Sequence, residues 1–289
     1  MYYEEESRIL ITASKDKTVK LFDIYKGVCK KVFEQANMIS SAIFFEEEST
    51  ILTSCLGQKI SLWSRDGTLI DTVTTVTVNE LHYSKKHNII ILIAPTIKAI
   101  ILYDYSTKSE IDKLKINDTI VSTSLSKTDE GEFFLVNSSN ATPVLSLWKL
   151  STRKIIRKYF GHRQERLTTK CSFGGELENF LLSGSDNKEI YIWNRNASVP
   201  VLVIKAHSSC VNSVIWPTLR PFSSIVISGS DDHTIKVFSN DKTGKISFVK
   251  NFLIGNEIIK SNEEDGNGSN LSNGSDSNDN YRSNSSSFL

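Results

Sequence analysis

The sequence predicts an all-β fold built from repeated four-stranded sheets, and three observations support this fold class. Six segments share one pattern, a β-branched strand that ends in an aromatic residue, and they recur along most of the chain. Each period contains about four short apolar runs separated by polar turns, which is typical of four strands. No window keeps a sustained 3.6-residue apolar period, so helices have little place in the repeated region.

The six aromatic residues mark the third strand of each predicted sheet. They lie 41, 40, 45, 45 and 45 residues apart and are Phe22, Trp63, Tyr103, Trp148, Trp193 and Phe238. A four-stranded sheet of this kind has two apolar faces and cannot cover either one alone. Stacking similar sheets around an axis covers both faces, which is the β-propeller arrangement. We therefore expect a six-repeat propeller over residues 1–254, followed by a disordered Ser- and Asn-rich tail over residues 255–289.

Composition excludes several classes of function. The chain has 34 Lys and Arg against 33 Asp and Glu, a net charge of +1, which argues against a nucleic-acid-binding surface. The four cysteines are widely separated and carry no metal-ligand spacing, so we interpret them as free thiols in a reducing compartment. The sequence predicts no cofactor, no metal and no membrane segment. It also predicts a cytoplasmic location, with the nucleus as an additional one.

Two segments, SGSDN…EIYIWN and SGSDD…TIKVF, are each preceded by a histidine, and they resemble WD40 repeats. The two units superimpose with an offset of 45 residues. In that family, a turn carboxylate, a histidine, a hydroxyl and an indole form a hydrogen-bonded series that ties each sheet to its loops. The resemblance assigns this role to His162, Ser183, Asp186, Asn187 and Trp193 in the fifth repeat, and to His207, Ser228 and Asp232 in the sixth.

The first repeat begins at what should be its second strand, RILITAS, so the sequence predicts that the first sheet is incomplete. Relatives of this repeat most often close with seven sheets, and only six aromatic markers are present. Either the propeller closes with six sheets in an unusual way, or the chain is a fragment of a longer protein. The second interpretation is favoured.

The residues Ser228, His207 and Asp232 also have the residue types of a hydrolase triad. A catalytic set has no reason to recur 45 residues earlier, and no G-x-S-x-G segment is present. We therefore interpret the trio as structural and expect no enzymatic activity. Glu176 and Glu178, in GGELENF, could form an acid–base pair, but we expect them in a solvated loop.

The remaining candidates are surface residues suited to contact a protein partner. The loop FGHRQERLTTK lies between the fourth and fifth repeats, and charged loops on rigid scaffolds often bind partners. A solvated loop paired only with itself is an equal alternative. The candidate contact residues are Arg163, Gln164, Glu165, Arg166, Lys188, Asp231 and His233.

The run from Arg157 to Phe238 is more specific than a generic repeat, because it combines RKY-x-G, C-x-F-G-G-x-x-E-x-F and SGS-x(5)-IYIW. It resembles the last repeats of the WD-repeat subunit of the GID/CTLH E3 ubiquitin ligase. That resemblance implies a non-catalytic scaffold that recruits substrates or regulators, with other ligase subunits as partners and a possible homodimer in the full-length form. The family's N-terminal LisH-CTLH region does not appear in this sequence. The alternative is a WD40 adapter of another assembly, such as RNA processing or chromatin modification.

Overall fold

The structure, a computed structural model, contains six antiparallel four-stranded sheets, which we call blades one to six in chain order. It describes residues 2–4, 8–45, 50–139, 142–165, 169–218, 224–240 and 246–253. Within each blade the four strands are consecutive in sequence. The predicted all-β propeller with six four-stranded blades is confirmed. Arg166 and the tail predicted at 255–289 lie outside the described residues.

The first three blades contain strands β1 to β12. Blade one consists of β1 to β4, at Tyr2–Glu4, Ile9–Ala13, Thr18–Asp23 and Val28–Glu34. Blade two consists of β5 to β8, at Ile39–Phe45, Thr50–Cys55, Lys59–Ser64 and Leu69–Thr74. Blade three consists of β9 to β12, at Glu80–Ser84, Ile89–Ala94, Ala99–Asp104 and Ser109–Lys115.

The last three blades contain strands β13 to β24. Blade four consists of β13 to β16, at Thr119–Leu125, Phe133–Ser139, Val144–Lys149 and Lys154–Tyr159. Blade five consists of β17 to β20, at Cys171–Gly174, Phe180–Gly184, Glu189–Asn194 and Pro200–Lys205. Blade six consists of β21 to β24, at Val211–Ile215, Ile225–Ser230, Thr234–Asn240 and Ile246–Leu253. One turn of 3-10 helix spans Pro95–Ile97, and no helix in the described ranges is long and apolar enough to cross a membrane.

Blade one has a first strand where the sequence predicted none. Residues Tyr2–Glu4 pair antiparallel with Ile9–Ala13, so the first blade also has four strands. The expectation of an incomplete first repeat is therefore corrected. A strand of three residues is too short to show the alternation of apolar and polar residues by which strands are recognised.

The fourth strand of each blade, which we call the outer strand, carries a one-residue bulge opposite the aromatic marker of its blade. In blade five, for example, Ile192 pairs with Leu202 and Trp193 pairs with Pro200, which leaves Val201 without a partner. Bulges twist an edge strand and limit its pairing with other chains. The unpaired positions in the six blades are Lys30, Ile70, Ile111, Ile156, Val201 and Val249.

The core consists of five apolar clusters, each of which lies between two consecutive blades. Among the described residues, no such cluster joins blade six to blade one. On blade one, Ile11 and Leu21 face blade two and are buried, while Leu10 and Phe22 on the opposite face are only half-buried. The two terminal blades therefore each leave one apolar face partly uncovered.

A pair of equivalent glycines shows the same difference between covered and uncovered faces. A Cβ atom on Gly184 in blade five would lie 2.0 Å from the carbonyl oxygen of Val211 in blade six. Gly229 is the equivalent residue of blade six, 45 positions later, and a Cβ atom there would have no neighbour within 4 Å. Glycine is thus required at the junction of blades five and six, but not at the same position on the uncovered face.

We expect Gly184→Ala to destabilise the protein by about 3 kcal/mol or more, because the added methyl group would overlap backbone of the next blade. Gly229→Ala should be neutral or stabilise by up to about 1 kcal/mol, because it removes backbone freedom from the unfolded chain without a clash. The measurement is urea unfolding of the two variants and the wild type. Equal destabilisation by both substitutions would show that another element covers the far face of blade six.

Candidate functional site

The histidine of blade six connects two loops of its sheet through a short hydrogen-bonded series. His207 follows β20, and its Nδ1 lies 2.9 Å from Asp232 Oδ2 in the turn between β22 and β23. Its Nε2 lies 2.7 Å from Ser228 Oγ in β22. Because a carboxylate only accepts, Nδ1 donates to Asp232 and Nε2 accepts from the serine hydroxyl. The series stops there, since Phe238 has no N–H to donate.

The electrostatics of this series favour a carboxylate beside a neutral imidazole. Burial opposes ionisation of Asp232, but hydrogen bonds from Thr234, Ser208 and His207 outweigh it and hold the pKa of Asp232 well below its usual range. Burial lowers the pKa of His207, and the neighbouring carboxylate only partly offsets this effect. The trio therefore joins two loops, with its hydroxyl and imidazole committed to each other inside the sheet.

Blade five does not form the hydrogen-bonded series that the resemblance implied. His162 Nε2 lies 3.2 Å from Asn137 Oδ1 of blade four, and Ser183 Oγ donates to the carbonyl of Gly184 instead of the imidazole. Burial lowers the pKa of His162 to about 4, so this imidazole is neutral near pH 7. The Trp193 indole N–H donates to the carbonyl of Phe160 at 3.0 Å.

The physical reason is the amide at the carboxylate position. Asn187 donates its side-chain N–H to Glu189 at 2.6 Å and to the Tyr191 hydroxyl at 2.9 Å, so it faces its own strand and not the histidine. Asp186, the neighbouring acid, instead accepts the backbone N–H of Glu165 and the thiol of Cys210. The acid of blade five therefore fastens the loop that contains Arg163, rather than a histidine.

Most of the predicted contact residues lie on the surface, but Gln164 does not. Its side chain is buried, with the residue only 4% exposed, so it cannot belong to a contact surface. The loop backbone is fixed at the preceding residue, since the Arg163 N–H donates to Ser185 Oγ at 2.9 Å and the Arg163 carbonyl accepts from the Asp186 N–H at 3.0 Å. The predicted contact residues that are exposed are Arg163, Glu165, Lys188, Asp231 and His233.

Glu178 is buried between two blades, although the sequence analysis placed it in a solvated loop. It accepts hydrogen bonds from the hydroxyls of Ser126 and Thr128 and from the Lys127 backbone N–H at 2.9 Å, all in blade four. The residue is 1% exposed. Its carboxylate thus joins the loop between β17 and β18 to the loop between β13 and β14. The segment GGELENF carries no local signal of this burial, because every partner lies about fifty residues upstream.

Glu132 makes the equivalent junction between blades three and four. His87 Nε2 and Lys86 Nζ lie 2.8 and 3.0 Å from one carboxylate oxygen, and Ser151 donates to the other at 2.5 Å. Burial opposes ionisation of Glu132, but these three donors lower its pKa to about 2. Sequence analysis missed this residue as well.

A second polar cluster lies on the first strands of blades three to five and does not recur with the repeat. Glu80 accepts from the Thr123 hydroxyl at 2.7 Å and forms an ion pair with Lys170, ninety residues away. His82 Nε2 lies 2.7 Å from the same hydroxyl, which accepts this bond because its own proton goes to Glu80. Burial disfavours the carboxylate, yet Lys170 and His82 lower the pKa of Glu80. The cluster therefore connects three blades. Because the Thr123 hydroxyl already donates its proton to Glu80, we do not interpret it as a nucleophile.

We expect Asp232→Ala to destabilise the protein by about 3 kcal/mol, because several buried donors would lose a charged acceptor. Asp231→Ala is the matched control, since Asp231 is exposed and adjacent, and its loss should cost less than about 1 kcal/mol. Urea unfolding at pH 7 measures both. Equal costs for the two aspartates would contradict a structural role for the histidine series.

The loss of stability at acid pH should depend on Glu132 but not on its neighbour Glu130, which is exposed. The pKa of Glu132 in the folded protein is about 2 against an ordinary 4.5, so its contribution is complete above pH 4.5 and is lost as the pH falls towards 2. We expect Glu132→Gln to cost about 2 kcal/mol at pH 7 and to flatten the decline of stability across that window. Glu130→Gln should leave the decline unchanged. A Glu132→Gln variant with the wild-type pH profile would contradict this assignment.

The comparisons with known proteins agree with the repeat and its fold. The family described as WD domain, G-beta repeat matches residues 198–239, which cover β20 to β23. A WD repeat-containing protein WDS homolog of Arabidopsis thaliana is 30% identical over 82% of this chain and 45% of its own length. A WD repeat-containing protein 26 homolog of Drosophila melanogaster is 32% identical over 66% of this chain and 30% of its own length.

A third relative, GID complex subunit 7 of Schizosaccharomyces pombe, is 26% identical over 82% of this chain and 55% of its own length. The chain therefore spans between 30% and 55% of the length of these three relatives. Repeat pattern, blade architecture and sequence similarity lead to the same conclusion. The chain is a WD-repeat β-propeller protein whose homologues include WD repeat-containing protein 26 homologues and GID complex subunit 7.

Proposed function

We propose that this chain is a non-catalytic scaffold that recruits substrates or regulators to a multisubunit E3 ubiquitin ligase of the GID/CTLH type. The observation that carries the proposal is the similarity to GID complex subunit 7, which extends over 82% of the chain and thus over most of the propeller. The proposed partners are other ligase subunits and their substrates. A homodimer of the full-length protein and a cytoplasmic or additional nuclear location belong to the same proposal.

The mechanism we propose is geometric. The loop with Arg163 is fixed by backbone hydrogen bonds to Ser185 and Asp186, so its exposed charges keep their positions without a partner. Lys188 and His233 lie in two further turns, in left-handed conformations with φ of 73° and 62°, and both residues are exposed. A surface that is already ordered loses little conformational entropy when a partner binds.

The polar groups that resemble catalytic machinery support a scaffold more than an enzyme. In blade six, His207 is hydrogen-bonded to Ser228 on one side and to Asp232 on the other, and the three residues join loops of one sheet. On the first strands, the proton of Thr123 is already donated to Glu80. Each of these groups has a structural role that accounts for its position.

Affinity purification tests the proposal directly. Tagged full-length protein should recover RING-type ligase subunits from cells of its source. The double variant Arg163→Glu with Lys188→Glu should lower this recovery roughly tenfold, because reversed charges repel a partner that matches the wild-type surface. Lys113→Glu, an exposed charge on the outer strand of blade three, is the control and should recover the same subunits as the wild type.

Recovery of splicing or histone-modifying subunits in place of ligase subunits would support the alternative, an adapter of RNA processing or chromatin modification. Recovery that is equal for the double variant and the wild type would remove the loop from the contact surface. Either result would leave the propeller fold unaffected.

A further inference from the structure

The outer strands of blades four and five carry several cations and no carboxylate, unlike those of blades one, two and three. Strand β16 reads KIIRKY and β20 reads PVLVIK, and together they carry four cations and no carboxylate. The outer strands of blades one, two and three each contain Asp or Glu. We call this part of the surface the rim patch, and its exposed apolar residues are Ile155, Ile156, Phe160, Val199, Val201 and Val203.

The apolar side chains of the rim patch are exposed to solvent. Val199 is 70% exposed, Val201 is 54% exposed and Phe160 is 47% exposed. Along β20 the valines alternate with the half-buried Leu202 and Ile204, so Val201 and Val203 share the outward face. Clustered apolar residues of this size at the surface of a soluble fold are typical of an interaction site.

Hydrogen bonds show that the two edges form one continuous surface. The Phe160 N–H donates to the Ser198 carbonyl at 3.2 Å, which connects the end of β16 to the beginning of β20. The Tyr159 hydroxyl donates to the Arg195 carbonyl at 2.6 Å, across the same junction. Both contacts are between backbone or buried groups, so they hold Phe160 beside Val199 while both side chains stay exposed.

The charge around the patch identifies what would cover it. Lys154, Arg157 and Lys158 lie along β16, and Lys205 lies at the end of β20. The residues beside the bulge differ in charge between blades three and five. Ile111 in blade three lies between Glu110 and Asp112, whereas Val201 in blade five lies between Pro200 and Leu202. An apolar strip bordered only by cations complements an apolar segment bordered by carboxylates.

We propose that the rim patch is a docking site for an extended segment of a partner protein in which a short apolar run is bordered by Asp or Glu. The valines and Phe160 would cover the apolar side chains of the segment, and the cations of β16 and β20 would pair with its carboxylates. This site lies on the outer edge of the propeller and shares only Phe160 with the loop FGHRQERLTTK. Nothing in the proposed docking rests on a property of a ligase.

The test uses the full chain and a short labelled peptide with a central run of Val bordered by Glu, with binding followed by fluorescence anisotropy. We expect saturable binding that weakens with added salt, because the ion pairs at an exposed edge are screened. Val201→Asp should weaken binding by about tenfold or more, since it removes an apolar contact and repels the carboxylates. Ile111→Asp, at the equivalent bulge of blade three, is the matched control and should bind like the wild type.

Three results would overturn the proposal. The first is the absence of binding to the wild-type chain, and the second is equal binding by the wild type and Val201→Asp. The third is binding to phosphatidylserine vesicles without binding to the peptide, which would show that the cations and apolar residues recognise a membrane surface. A peptide with the same run of Val bordered by Lys, measured in parallel, should not bind, and its binding would exclude recognition by charge.

Discussion

The structure depends on one constraint, which is that each sheet has two apolar faces and can bury them only against other sheets. Blades two to five satisfy it on both sides, through clusters in which each blade supplies one face to each neighbour. Stability in such a series is close to a sum of blade and interface contributions. Among the described residues, the terminal blades satisfy the constraint on one side only, which is why Leu10 is only half-buried and Gly229 has open space where Gly184 meets a neighbour.

Polar groups join the blades where apolar packing ends, and they do so differently at each junction. His207 and Asp232 connect two loops within blade six, whereas His162 reaches across to Asn137 in blade four. Glu178 connects loops on the opposite side of blades four and five, far in sequence from its partners. The backbone repeats, but the side chains at the junctions do not, so the repeat fixes the scaffold and leaves the chemistry of each loop free to diverge.

The same distinction explains how much could be predicted from the sequence. The third strands were predictable because each ends in an aromatic residue after a β-branched run, and six of these give six sheets. The hydrogen bonds of blade five were not predictable from the repeat. The 45-residue offset aligns Asn187 with Asp232, but it does not show that Glu189 and Tyr191 bind the Asn187 amide. Buried Glu178 was missed for a related reason, since burial of a loop carboxylate depends on a neighbouring blade and not on adjacent residues.

The outer edges are where this architecture is least constrained by packing and therefore most open to specialisation. A strand inside the sheet, such as β19, pairs with a neighbour on both sides. An outer strand such as β20 pairs on one side only and keeps one row of backbone groups unpaired within its sheet. In all six blades the bulge opposite the aromatic marker twists this edge, and in most blades a charge lies at or beside the bulge residue. Blade five retains the twist without an adjacent charge. A bulge disfavours continuous strand pairing while it leaves apolar side chains exposed, and this combination suits an edge that recognises a partner through its side chains.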